Sequence, residues 1–250
     1  MGSKLNTPIK YPLTIDTLLD TAHMLSFLKP KRDSLIGSFE YGSWAVDGSA
    51  TLRVGGILTN FVSNGTISAT VDADGQILRA TSGAVSGNDA GWYGGMAFQT
   101  RFTAFFLCKF KLSSVADVRD LIGLTNNNLA GSVDADNPTA TNIVALQYST
   151  DRPDTNFQFI TKGGGAPTIT DSGLAADTAV HYLLIALDSA TSVRCIIYNS
   201  SLVQQASSTI ILTLPDSTTN IGPVVGLETR AAAAKIIDLY GASGIRRIDL

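Results

Sequence analysis

The acidic residues of this chain are divided very unevenly: there are 19 Asp, and only Glu40 and Glu228 as glutamates. Glu and Lys are what ordinary helices place on their solvent faces, and Lys is also scarce, at 8 of 250 residues. Asp belongs instead to turns, where its short carboxylate bonds nearby backbone N–H groups. Thr, Ser, Gly and Asn together make up 84 of the 250 residues, and these too are residues of turns and strand edges. A chain built this way predicts β-sheet with many turns rather than a helix-rich fold.

The apolar fraction of 44% is enough for a full core and excludes wholesale disorder. All-β sandwiches of this length are commonly single domains. A net charge of −3 and a pI near 5.3 argue against a nucleic-acid binder, which would carry a basic stripe. The dense basic clusters, Lys29–Lys31–Arg32 and Arg246–Arg247, are too short for that role. No apolar run reaches the ~18 residues of a membrane-spanning helix, so no membrane insertion is expected. Met1-Gly2-Ser3 leads into polar sequence without the apolar stretch of a secretory signal.

Residues 1–40 read differently from the remainder and hold four of the eight lysines. The stretch from Leu5 to Asp16, interrupted by Pro8 and Pro12, predicts an extended arm. Leu18, Ala22, Leu25 and Leu28 then fall near helical spacing, with Pro30 as a stop, which predicts a short amphipathic helix over 17–29. Its apolar residues, among them Leu18, Leu19, Leu25, Phe27 and Leu28, make it an anchoring or oligomerisation element, because so short a helix is marginal without a packing partner.

From about Phe39 short strands follow one another. They are predicted over 49–56, 57–63, 66–72, 76–82, 94–114, 119–126, 143–150, 156–162, 180–189, 192–200, 201–209, 222–230 and 234–246. Thr66–Val71 and Asn156–Ile160 alternate with period two, as half-buried strands do. Thr103–Phe110 is apolar on both faces and predicts a central strand. Asn64-Gly65 and Asp74-Gly75 suit tight turns between adjacent strands. Many short strands at regular spacing mean a sandwich or barrel, here as one domain over 41–250.

Motifs for catalysis are thin. Sandwich glucanases need two carboxyl groups flanking one bond, on one strand face as E-x-D-x-E, and neither glutamate has an acid two or four residues away. The pairs Asp72/Asp74, Asp117/Asp120, Asp134/Asp136 and Asp151/Asp154 read as turn formers. The Gln-x-His of sandwich lyases is missing at His181, and there is no G-x-S-x-G. The chain is therefore read as non-enzymatic and cofactor-free. A calcium site at Asp134, Asp136 and Asn137 is the one metal alternative, since hard oxygen ligands two residues apart can share an ion; a solvated loop is the other reading of that run. Cys108 and Cys195 sit in apolar runs and read as buried thiols, with a disulfide left open because strand adjacency is not in the sequence. Sugar binding calls for exposed aromatic platforms with a few polar groups. The candidates are Trp44 and the pair Trp92 and Tyr93, which lie beside glycines; the alternative is that they cover the core edge.

The C-terminal half has a recognisable order. His181–Leu187 and Val193–Tyr198 are followed by a polar strand, Leu214-Pro215, Gly222–Thr229 and Ala234–Tyr240. With Phe106–Leu112 and Arg119–Thr125, this resembles the concanavalin A-like jelly roll of the kind found in bacteriophage virion accessory proteins, and Tyr11–Asp16 is similar to the arm that opens many of them. The resemblance implies an antiparallel jelly-roll β-sandwich of the lectin/glucanase type. It further implies a capsid decoration, fibre or tail-attachment protein on the virion surface, made in the host cytoplasm. The expected partners are further copies in a homo-oligomer, a trimer being favoured, together with other virion proteins and host glycans. A free-standing lectin or carbohydrate-binding module is the second reading and a glycan-cleaving enzyme the third. The predicted core is Phe106, Cys108, Phe110, Ile122, Leu124, Phe157, Phe159, Leu183, Ile185, Cys195, Ile197, Val225 and Ile237.

Overall fold

A computed structural model describes residues 39–44, 59–72, 75–94, 98–101, 104–126 and 139–247, with 39–44, 59, 72, 75–76 and 241–247 as backbone. The predicted helix at 17–29 with Leu18, Leu19, Leu25, Phe27 and Leu28, the strand at 49–56 and the loop holding Asp134, Asp136 and Asn137 lie outside them. Among the described residues there is no helix. In chain order the strands are β1 (Phe39–Trp44), β2 (Thr59–Val62), β3 (Thr66–Asp72), β4 (Gly75–Thr81) and β5 (Asp89–Tyr93). They continue as β6 (Ala104–Leu112), β7 (Val118–Thr125), β8 (Asn142–Gln147), β9 (Asn156–Gly163) and β10 (Thr168–Ala175). The last five are β11 (His181–Ser189), β12 (Ser192–Asn199), β13 (Gln204–Ile210), β14 (Gly222–Thr229) and β15 (Ile236–Arg247).

These strands form two antiparallel sheets. The eight-stranded sheet runs β13-β12-β11-β6-β15-β4-β3, with β1 also on β15, and the seven-stranded sheet runs β10-β9-β8-β7-β14-β5-β2. Each inner face is built by period-two alternation. The two faces meet in one apolar core that contains all thirteen of the predicted core residues. Phe110 on β6 and Phe157 on β9 cross between the sheets with ring centroids 6.3 Å apart in an edge contact. This is the jelly-roll sandwich that the strand pattern led us to expect. Every residue of β7 is buried, and β6 has only Lys109 and Lys111 half-buried.

Several local expectations are corrected. Asn64-Gly65 does not close a hairpin: β2 and β3 belong to different sheets, so the pair turns the chain from one sheet to the other, with Asn64 at φ 53°. The β3–β4 hairpin does exist, with Asp72 opposite Gly75. The long strand expected over 94–114 is shorter, because a turn around Thr100-Arg101 separates the Phe98–Ile221 bridge from β6. Asp120 is no turn residue. It lies within β7 and is fully buried, on the inward side shared by Val118 and Ile122. Strands β1, β5 and β10 are additions to the expected list. Cys108 and Cys195 are both free and buried. They pair with Leu183 and Ile185 from opposite sides of β11, so a whole strand lies between them.

Candidate functional site

The outer face of the seven-stranded sheet gathers most of the unusual chemistry. Its register places Arg119 opposite Glu228, Glu228 opposite Asp89, Val224 opposite Tyr93 and Gly91 opposite Phe61. Apolar residues of this face, including Leu121, Ile143, Ala145, Ile160 and Val224, form a second cluster with Phe61 and Tyr93. Glycines keep the face low. A Cβ on Gly91 would sit 2.3 Å from the Val225 carbonyl oxygen and 2.7 Å from the Phe61 ring, so the aromatic ring occupies the space above the glycine. The Phe61 and Tyr93 rings lie 6.5 Å apart at 21°, and Tyr93 is half-buried.

At one end of this face two arginines and two carboxylates close a ring. Arg119 donates from Nη1 to Glu228 Oε2 at 3.1 Å and from Nη2 to Asp151 Oδ2 at 2.9 Å. Arg230 completes the ring through Asp151 Oδ2 at 2.6 Å and through Glu228 Oε1. These contacts, the one to Asp151 first, hold the Arg230 guanidinium above its ordinary pKa. Beside the ring, Arg152 grips Asp154 through Nε at 2.9 Å and Nη2 at 2.6 Å, and reaches Gln147 Oε1 at 2.8 Å. Asp154 in turn accepts the Ser149 backbone N–H at 3.0 Å. Bidentate guanidinium–carboxylate pairs of this kind are strong and geometrically defined. They join β7, β14 and the β8–β9 connection, and they occupy carboxylate oxygens that a general acid or base would need free.

Asp120 faces the other way, into the sandwich. Its Oδ1 accepts the Tyr148 backbone N–H at 2.9 Å, and its Oδ2 is buried without a partner. Burial disfavours the charged carboxylate and pushes its pKa up to about 8, with Asp154 adding to the rise and the Tyr148 N–H opposing it. His181, at the start of β11, is buried against the rings of Phe110 and Phe157, with Nε2 2.8 Å from Asp177. The Cys108 and Cys195 thiols are pushed up by burial, Cys195 to about 12; neither is a nucleophile.

The sequence-predicted sugar platform divides. Trp92 is fully buried in the core, with its indole N–H unpartnered, while Tyr93 stands on the outer face. Successive residues of a strand point to opposite faces, and Trp92-Tyr93 lies within β5, so the two rings cannot form one surface. Trp44 is on β1 opposite Ala242, in the other sheet. Among the described residues no group of three or more His, Cys, Asp or Glu could hold a metal ion. None of their helices is long and apolar enough to cross a membrane. Sequence reasoning missed the four-membered ring, because Arg119 and Asp151 are distant along the chain from the Glu228/Arg230 pair. The signal available was the isolation of Glu228 as one of two glutamates inside an apolar strand, a position where a charge requires partners.

No family model matches the sequence, and no curated protein matches it. Among solved structures, the fold is similar to a protein of unknown function from Shewanella oneidensis MR-1, at 14% identity over 91% of this chain and 94% of the other, with a TM-score of 0.66. It is also similar to an endo-β-1,4-glucuronan lyase from the fungus Trichoderma reesei, at 11% identity over 82% and 94%, TM-score 0.54. A third similar structure is arcelin-5, a lectin-like defense protein from Phaseolus vulgaris, at 11% identity over 85% and 100%, TM-score 0.52. At these identities the likeness is one of fold: the chain is an antiparallel β-sandwich of the concanavalin A-like lectin/glucanase type.

Proposed function

We propose that this chain is a non-enzymatic, glycan-binding sandwich that serves as a surface accessory protein of a bacteriophage particle. The observation that carries the non-enzymatic part is the closed ring Arg119–Glu228–Arg230–Asp151, in which both carboxylates, Glu228 and Asp151, are engaged by guanidinium groups. The glycan-binding part is supported by Tyr93, half-buried on the same face and stacked on the buried Phe61 ring, since an apolar ring beside polar groups suits the faces and hydroxyls of a sugar. A similar fold in a lectin-like defense protein is consistent with this. The virion role and the homo-oligomer rest on the sequence resemblance and on the apolar arm. The chain is read as cofactor-free, with calcium at Asp134, Asp136 and Asn137 as the one metal alternative.

Glycan-array binding tests it. The half-buried Tyr93 is changed to Ala, and binding is expected to fall at least tenfold while the melting temperature stays within a few degrees. An equal loss of folding in Tyr93→Ala, or unchanged binding, refutes the site. For the virion role, antibodies to this chain should label purified particles.

The fold it shares with a glucuronan lyase, and the cross-strand neighbours Glu228 and Asp89, give the cleavage reading its one footing. Incubation with glucuronan should then yield no unsaturated uronate product. Appearance of that product, lost in Glu228→Gln, would replace the non-enzymatic reading.

A further inference from the structure

Part of the outer face of the eight-stranded sheet is as buried as the core. On β6, β11 and β12 the core takes Phe106 and Cys108, Leu183 and Ile185, and Cys195 and Ile197. Their neighbours along each strand point the other way. Phe105 and Leu107, Leu184 and Ala186, and Ile196 therefore face outward. Register sets them side by side, with Phe105 opposite Ala186, Leu107 opposite Leu184, and Leu184 opposite Ile196. None of the five is more than 6% exposed. Tyr182 and Tyr198, opposite each other further along the same face, are equally buried. Every described strand belongs to one of the two sheets, so none of them lies over this face, and the single chain buries it without a second copy.

The buried strip has the footprint of one helix. It stops at β13, where Ser207, opposite Ile196, is exposed, and at the other edge of the sheet Thr66 and Ser68 on β3 are exposed too. From β12 to β6 it is two strand spacings, about 10 Å, wide, and an α-helix is about 10 Å across. From Tyr182 to Ala186 it runs roughly 14 Å along the strands, and a helix over 17–29 would be about 20 Å long. The chain also enters the sheet close by. β1 begins at Phe39 opposite Arg247, and Arg246 is opposite Ala104, the residue before Phe105. Residues 30–38, when extended, reach up to about 30 Å, enough to lay 17–29 anywhere on the strip. Among the other stretches outside the described residues, 127–138 joins two strands of the seven-stranded sheet. The stretch 45–58 is interrupted by Gly48, Gly55 and Gly56.

We propose that this outer face is the docking surface for residues 17–29 of the same chain, with the row Leu18, Ala22, Leu25 and Leu28 set against Phe105, Leu107, Leu184 and Ile196. A helix with one apolar row is stable only when that row is packed, and an apolar sheet face has the same need. At helical spacing Leu19 and Phe27 fall off the row, which leaves them for contacts with other copies or with the particle. The inference goes beyond the glycan reading and uses neither Tyr93 nor the seven-stranded sheet.

Hydroxyl-radical footprinting of the full chain, read by mass spectrometry, tests this. Tyr182 and Tyr198 should be as protected as the core ring Phe106, at every protein concentration. Leu18→Asp combined with Leu25→Asp should raise the labelling of both tyrosines several-fold, while Phe106 and Leu183 stay protected. If that double variant also loses the protection of Phe106 and Leu183, the milder Leu25→Ala is read in the same way. Tyr182 and Tyr198 labelled in the unmodified chain as readily as an exposed side chain overturn the proposal. So does protection that persists with aspartates at both positions. Protection that fades on dilution to the single-chain mass of 26.3 kDa overturns it as well, and assigns the cover to the arm of a neighbouring copy.

Discussion

A buried, half-satisfied carboxyl is the most consequential single residue. Asp120 is raised to about 8 by burial, whereas an unfolded Asp titrates near ~4. Below the unfolded value both states are protonated and the full stability is present. Between the two values the unfolded chain releases its proton and the folded chain keeps it. Stability therefore falls as pH rises, by ~1.4 kcal/mol per unit, and the fall ends above the folded value. Asp120→Asn keeps an acceptor for the Tyr148 N–H and removes the titration. Its melting temperature is expected to exceed that of the unmodified protein at pH 8 and to change less between pH 5 and 8. Parallel pH curves for the two proteins would show that Asp120 does not titrate in this range. The carboxylates of the Arg ring obey a different logic: each sits between guanidinium groups, so charge is matched where it is buried.

At the level of elements, β5 and its neighbours depend on a missing side chain. Gly91 lies between β14 and β2, and its Cβ position is 2.3 Å from a backbone oxygen that cannot swing aside. The Phe61 ring occupies the space that remains, an aromatic cover for a cross-strand glycine. Gly91→Ala is expected to destabilise the sandwich by roughly 1–3 kcal/mol, the usual cost of overpacking, and urea unfolding would measure it. A variant as stable as the parent would mean that the sheet relaxes around the added methyl. β5 also shows why the aromatic platform was misplaced. The dipeptide Trp92-Tyr93 is informative only once it is known to be in a strand, and the glycines beside it concealed that. β10 escaped notice for a related reason. Its half-buried face is Thr168, Thr170, Ser172 and Leu174, with Ile169 exposed, so no apolar period marks it.

For the whole molecule, the members of the main core among the described residues run from Leu78 to Leu239, with Ile67 and Ala69 packed against it. Deleting residues 4–36 is therefore expected to leave a sandwich with an unchanged β-type circular dichroism spectrum. The deletion should cost the protein its attachment to the particle and any assembly made through Leu18, Leu19, Leu25, Phe27 and Leu28. A truncated chain that does not fold would make the arm part of the domain.

Which residues enter the core was legible in the sequence, because burial follows from alternation and from apolar runs. Phe157 and Phe159, or Leu183 and Ile185, declare the inward face of their strands whatever those strands pair with. The all-β class was legible as well, from the scarcity of Glu and Lys and the abundance of turn residues. What the pattern does not contain is the order of strands within each sheet. The separation between Arg119 and Glu228 is 109 residues, and only the placement of β14 beside β7 brings them to one row. The same placement decides that Asp120 lies inside and that β11 separates the two cysteines. A period of two reports the face on which a residue lies, and long-range pairing decides its neighbours.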